Sequence, residues 1–285
     1  MNAAVANLLT IWRYDEAKLA LVKQQIILPY SSSIYLSRDP SCMENLAYLI
    51  PIVFFAGIIR GYAGFGFAVI AVIGLNLFLD PIKSVPIVLA LDFICSIGLI
   101  REAIKHANMH TFRIIAGGSI LGIPIGLVLL YLVPALWLKL AICSFVLVLV
   151  ALLIKKAKPA QHDSFGKKLL TGIASGVGTS SASIGGPMIL YYILSSPLDV
   201  RAQRATMILF FIVSEFVALM GIGLSQPSSN EIYTTILWLL APTMVGVKIG
   251  QFFFNKRPPK SFKSISLPIM VVVAMVGFAQ AFQVI

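Results

Sequence analysis

Apolar residues gather into ten runs, 46–59, 65–79, 84–100, 114–133, 136–154, 168–178, 186–195, 205–224, 232–251 and 264–285, with most polar residues at the joins between them. Strands of a membrane barrel are roughly 10 residues long and alternate in polarity, whereas these runs are longer and solidly apolar, so they predict helices. A helix also satisfies its own backbone, as lipid requires. The first two runs and the sixth and seventh are short. A 14-residue helix spans about 21 Å, less than the roughly 30 Å hydrocarbon core, so each short pair predicts two half-helices meeting at a break. Residues 1–44 carry weaker patterning, punctuated by Arg13, Asp15, Glu16, Lys18 and Lys23, and read as a surface helix plus tether.

The two expected breaks are Gly57-Ile-Ile-Arg-Gly-Tyr-Ala-Gly-Phe-Gly-Phe67 and Ser175-Gly-Val-Gly-Thr-Ser-Ser-Ala-Ser-Ile-Gly-Gly-Pro187. An offset of 119 residues lays Gly66 on Gly185 and also pairs Gly57 with Gly176, Ala63 with Ala182, Ile70 with Ile189, Leu79 with Leu198 and Asp80 with Asp199. Further on, Gly122-Ile-Pro-Ile-Gly126 recurs as Gly246-Val-Lys-Ile-Gly250 at an offset of 124, and Pro134 answers Pro258. The chain therefore reads as a tail (1–44), a first membrane repeat (45–154), a basic linker (155–164) and a second repeat (165–285). Five segments per copy is an odd number, so the second copy is expected to run inverted through the membrane, an arrangement that places solute sites between broken helices at the repeat interface.

Composition narrows the class. Of 285 residues 59% are hydrophobic and 12% charged, with mean hydropathy +0.93, where soluble domains carry roughly 25% charged residues. The expectation is an all-α polytopic integral membrane protein. A net charge of +11 would suit nucleic acid if it formed a soluble basic face. Here the cations lie in short loops instead, and nucleic acid is not an expected partner. With a crossing at every run, fifteen basic residues fall on one side: Arg60, three in 101–113, five in 155–168, Arg201, Arg204 and four in 256–263. Six fall on the other: Arg13, Lys18, Lys23, Arg38, Lys83 and Lys139. The richer side is expected to be cytoplasmic, with both termini outside. Cys42, Cys95 and Cys143 have no CxxC spacing, and His106, His110 and His162 have no ligand cluster, so neither a metal nor any other cofactor is expected.

Helices restarting at the breaks would aim uncovered N–H groups and the positive end of their dipoles into the protein, which suits an anion. The candidate binding residues are Arg60, Gly64, Gly66 and Phe67 at the first break, and Thr179, Ser180, Ser181, Ser183, Gly185 and Gly186 at the second. The plainer alternatives are close helix packing for the glycines and snorkelling for Arg60. Asp92 and Glu215 lie deep in apolar runs, where a charged acid is costly and is by default a functional candidate. Under the 119 offset Glu215 corresponds to Ser96, one turn from Asp92. Either these acids take up a proton and couple it to the solute, or they are neutral and bonded to nearby backbone. Arg204 is a candidate entrance charge for anions.

Arg60-Gly-Tyr-Ala-Gly-Phe-Gly66, Val85-Pro-Ile-Val-Leu-Ala-Leu-Asp92, Gly185-Gly-Pro187, and Arg204-Ala-Thr206 with Glu215 nine residues beyond, together resemble the sulfite exporter TauE/SafE family of membrane anion transporters across about 45–285. The resemblance implies a multi-helix inner-membrane carrier of sulfite or of an organosulfonate, organosulfur or carboxylate anion. Its expected partners are that anion, membrane lipid and protons as a coupling ion, with oligomeric state left open. The chain departs from the family pattern in reading Ser183-Ile-Gly-Gly-Pro-Met188 after an unusually hydroxyl-rich stretch, and in having Phe67 and Ala68 where the second copy has a glycine and a proline. Such changes bear on substrate choice. An enzyme is not expected. The competing readings are a passive anion channel and an intramembrane enzyme, for which Asp92 with Glu215 is the one candidate acid pair.

Overall fold

The computed structural model describes residues 45–134, 164–225 and 230–259, with scattered positions between 137 and 144 and at Val271 and Met275. The tail, most of the linker and nearly all of the expected runs 136–154 and 264–285 lie outside the described residues. All of the described residues fall in one compact unit, Cys42–Ile285.

The described residues are helical and contain no strand. In chain order the helices are α1 (Leu46–Ala63), α2 (Phe67–Leu75), α3 (Pro81–Gly98), α4 (Ile100–His106), α5 (Met109–Leu132), α6 (Phe165–Ala182), α7 (Gly186–Leu194), α8 (Val200–Ser225) and α9 (Asn230–Lys256). Of these α1, α3, α5, α8 and α9 are long and apolar enough to cross a membrane. Large apolar side chains such as Phe55, Leu121, Leu132, Leu224 and Leu237 are exposed on the outside, as a lipid-facing surface requires. The protein is an all-helical polytopic membrane protein.

The broken segments differ from the expectation in one respect. Instead of two half-helices at each break, a long helix of 18 residues meets a short one of 9: α1 meets α2, and α6 meets α7. Gly57 and Gly61 do not end α1, because they are packing positions. A Cβ on Gly57 would lie 2.6 Å from the Thr243 carbonyl oxygen, and one on Gly61 would collide with backbone of Val247 and Gln251. Glycine in a helix interior is weak on its own but lets two backbones approach when a partner is present. Likewise Thr179, Ser180 and Ser181 stay helical by donating their hydroxyls to carbonyls four residues back, Ser175, Gly176 and Val177.

The most extensive helix pairings are α5 with α6 and α1 with α9. Gly118, Gly122 and Gly126 of α5 meet Leu169, Ile173 and Val177 in rising order, and Gly246 and Gly250 of α9 meet Phe54 and Ile58. Both pairs are therefore parallel, and each takes one helix from either half of the chain. The offsets of 119 and 124 carry α1 onto α6 and α5 onto α9, so one pair maps onto the other.

Side-chain contacts at the two ends of the bundle fix the remaining directions. At one end, Glu102 of α4 takes Arg204 from the start of α8 at 3.0 Å and Gln251 from the last turns of α9 at 3.3 Å. Arg204 Nη2 also donates to the Gly61 carbonyl near the end of α1 at 2.7 Å. The starts of α5, α6 and α8 gather at this end through Asn108 N–H to Thr206 Oγ1 and Lys168 to His110. At the opposite end Lys83, at the start of α3, pairs with Glu231, at the start of α9, at 3.2 Å. Thus α1 and α3 run one way and α5 the other, while α6 and α8 run with α5 and α9 runs with α1.

Candidate functional site

The first break is made where α1 closes on Gly64, in the left-handed region at φ 79°, with its N–H bonded to the Arg60 carbonyl. Gly66, at φ 93°, is the N-cap of α2 and supplies no side-chain cap. Only glycine takes these angles without strain. The turn holds Arg60, in the last turn of α1, completely buried: it is 0% exposed. Its Nη1 donates to the Gly64 carbonyl at 2.8 Å, tying the cation to the break itself. Its Nη2 donates to Ser96 Oγ, and Nε lies 2.8 Å from Asp92 Oδ1. That last contact is an ion pair rather than an aligned hydrogen bond, since both atoms are without hydrogen-bond partners. The plane of the guanidinium sits over Phe211, 4.4 Å from the ring centroid.

Two acids face this one cation. Asp92 and Glu215 are each 1% exposed. Ser96 lies between them. Its hydroxyl donates to the Asp92 carbonyl at 2.7 Å, with Glu215 Oε2 at 3.4 Å as the other acceptor in reach. Charges removed from water this completely persist only when paired and hydrogen-bonded. Arg60 and two ionised carboxylates would leave one negative charge uncompensated, and one proton shared by the acids brings the cluster to neutrality.

The second break is built differently. Ser183 closes α6 in the left-handed region at φ 58°, among the described residues the one non-glycine to do so. Its N–H bonds to the Thr179 carbonyl, and the Ile184 N–H to the Gly178 carbonyl, which together satisfy the end of α6. The N-cap of α7, Gly185, also supplies no side-chain cap. Two hydroxyls here, Ser183 Oγ and Ser175 Oγ, are buried and unpartnered. A Cβ on Gly185 would run into Thr179 Oγ1, and one on Gly186 would stand 3.2 Å from Phe211 Cζ. Phe211 thus has Arg60 against its face and the start of α7 against its edge, and it separates the two breaks.

The candidate residues therefore sort into four groups. Arg60, Asp92 and Glu215 converge on one buried cluster, and Arg60 does not snorkel. Gly64, Gly66 and the fully buried Phe67 form the first turn and restart, and Ser183, Gly185 and Gly186 the second. Thr179, Ser180 and Ser181 are close by, but their protons are already given to carbonyls, Ser180 also reaching Ile123 O of α5 at 2.8 Å. Arg204 does not stand open at an entrance, as its place in the sequence suggests. It is 2% exposed, paired with Glu102 and Gly61, and stacked 4.1 Å from Phe254.

Sequence reasoning does not single out Phe211 or Ser175 and finds Ser96 only as a counterpart. A signal is present for two of these. The sequence offset of 119 carries Asp92 onto Phe211 and Ser96 onto Glu215, and Ser96 and Glu215 touch.

Helices broken inside the bundle, with a cation and two acids buried beside the break, are features of solute sites in membrane transporters. The family model for sulfite exporter TauE/SafE matches residues 49–276, and the chain belongs to that family of membrane transporters. No curated protein and no solved structure matches the chain. Among the described residues no group of three His, Cys, Asp or Glu side chains is placed to hold a metal.

Proposed function

We propose that the protein carries a small anion, sulfite or an organosulfonate, organosulfur or carboxylate anion, by alternating access between two inverted repeats, and that Asp92 and Glu215 bind a coupling proton. The observation that carries this reading is the pair of uncapped helix starts, Gly66 and Gly185: Arg60, bonded to Gly64 of the first break, lies against the face of Phe211, and Gly186 of the second lies against its edge. Unpaired N–H groups at a helix start, the two spare hydroxyls of Ser175 and Ser183, and a cation at the far side of one aromatic ring make a donor set for an oxyanion. The helix directions and the equivalence of the α1·α9 and α5·α6 pairs support the inverted repeat.

Coupling follows from the charge count. An anion arriving at Arg60 must compete with Asp92 for the guanidinium. A proton taken by the acid pair weakens that competition, so proton and anion favour each other's binding and move together. The halves touch at both ends, through Arg204–Glu102–Gln251 at one and Lys83–Glu231 at the other, contacts that alternating access would open in turn. The end that gathers most basic residues is assigned to the cytoplasm by the positive-inside rule, in the inner membrane with both termini outside.

The test uses protein reconstituted in proteoliposomes, with uptake of labelled sulfite, thiosulfate, sulfoacetate, taurine and acetate measured with and without an imposed pH gradient. An anion is expected to accumulate with the gradient, and Glu215→Gln is expected to bind it but lose gradient dependence. Uptake at channel-like rates that merely follows the anion's own gradient would overturn the carrier reading.

A further inference from the structure

We infer that the groove between the ends of α1 and α9 is a binding site for one anionic phospholipid of the leaflet on the basic side, a site separate from the buried cluster and independent of which solute is carried. A cleft of about 530 Å³ opens there between Ile58, Ile59, Tyr62, Phe253, Lys256 and Arg257. Its walls are chiefly apolar, and Phe253 is 52% exposed on the lipid-facing side. Lys256 and Arg257 are exposed at its mouth. Among the described residues neither is in an ion pair with an acid, the pairs being Arg60–Asp92, Lys83–Glu231 and Arg204–Glu102. The Tyr62 hydroxyl is occupied with the Arg257 carbonyl at 3.1 Å, which holds the two helices together at the mouth.

An apolar trough closed by two cations at the end of a membrane helix matches an amphiphile with an acidic head: acyl chain along Ile58, Ile59 and Phe253, phosphate between Lys256 and Arg257. Basic pockets of this kind between cytoplasmic helix ends favour acidic headgroups. A small soluble anion would leave the apolar walls unfilled. Pseudo-symmetry supplies an internal comparison, because the equivalent end of the α5·α6 pair carries Leu132 and Val133 where α9 has Lys256 and Arg257. The site is therefore confined to one leaflet, and Lys260 and Lys263 extend the basic run beyond it in sequence. Ile59 also connects the groove to the first break, since its Cγ2 lies 3.3 Å from a Cβ built on Gly66. A lipid seated there braces the wall of α1 against the start of α2.

Native mass spectrometry of the detergent-purified full chain, titrated with phosphatidylglycerol or phosphatidylcholine, tests this. One phosphatidylglycerol should be retained in preference to phosphatidylcholine, and Lys256→Gln/Arg257→Gln should weaken its binding about 30-fold. Arg101→Gln/Lys105→Gln, which removes the same charge elsewhere on the basic side, should not. Equal loss in both double variants would reduce the effect to net charge, and displacement by millimolar glycerol 3-phosphate would show a site for free anions; either result overturns the inference. Should the groove variant fail to fold, photoactivatable phosphatidylglycerol on the unmodified protein gives a second measurement. Adducts concentrated on residues 58–62 and 253–257 support the site, and adducts spread evenly over the lipid-facing helices refute it.

Discussion

Arg60 stands against two acids, and that inequality predicts an order of damage when the cluster is taken apart. In Arg60→Gln both Asp92 and Glu215 lose the cation that faces them while remaining 1% exposed. Removing one member of a buried ion pair costs about 3–5 kcal/mol, a fall in melting temperature of about 6–20 °C at roughly 2–4 °C per kcal/mol. Glu215→Gln keeps the Arg60–Asp92 pair and disturbs only the contact with Ser96, so the loss should be about 0.5–1.5 kcal/mol. Asp92→Asn should fall between, because Glu215 already reaches the Ser96 hydroxyl that Arg60 holds and can take over as counter-ion. Fluorescence-detected thermal unfolding of the three variants in one detergent gives the order directly. The double variant Arg60→Gln/Asp92→Asn should lose less than the two single losses added together. If Glu215→Gln is as damaging as Arg60→Gln, or if the double variant is simply additive, the three groups do not act as one cluster.

Other positions give independent checks. Gly61→Ala places a methyl against the backbone of α9 and should destabilise by about 1–3 kcal/mol, whereas Gly117→Ala, with nothing within 4 Å of the new Cβ, should be neutral or stabilising by up to about 1 kcal/mol; calorimetry of the pair separates packing from propensity. Ser183→Gly removes left-handed strain of roughly 1–2 kcal/mol together with a spare hydroxyl, so it should melt higher yet bind the anion about 3–10-fold more weakly by thermal shift, while Ser181→Ala, whose proton belongs to Val177 O, should leave affinity nearly unchanged. Lys83→Gln opens a half-exposed pair worth about 0.2–1 kcal/mol, and should alter the ratio of inward to outward flux in oriented vesicles while moving the melting temperature by no more than about 4 °C.

Much of this architecture is legible from hydrophobic spacing alone, because lipid leaves helices as the option for long apolar runs. Glycine clusters place the breaks within a few residues. They do not place the helix ends, since whether Gly57 and Gly61 terminate α1 or seat it against α9 depends on Thr243, Val247 and Gln251, nearly 190 residues away. Similarly, the hydroxyls of Thr179 to Ser181 look available in sequence, and only helix geometry shows them spent on carbonyls one turn back. Asp92 and Glu215 announce themselves by polarity in an apolar setting. Their meeting with Arg60 requires three helices to converge, which no local pattern encodes. Arg204 reads as open because charge near a helix start normally faces solvent, and here Glu102 and Phe254 enclose it.

The parallel seam between α1 and α9 has a consequence for how the chain is made. Gly57 leaves the ribosome 189 positions ahead of Gly246, which at about 5–20 residues per second is a wait of about 10–40 s. During that time the glycine face of α1 has no mate, and neither half can be completed from its own helices. The α1·α9 seam therefore closes only after synthesis has reached α9, and until then α1 is held in the membrane with its glycine face uncovered.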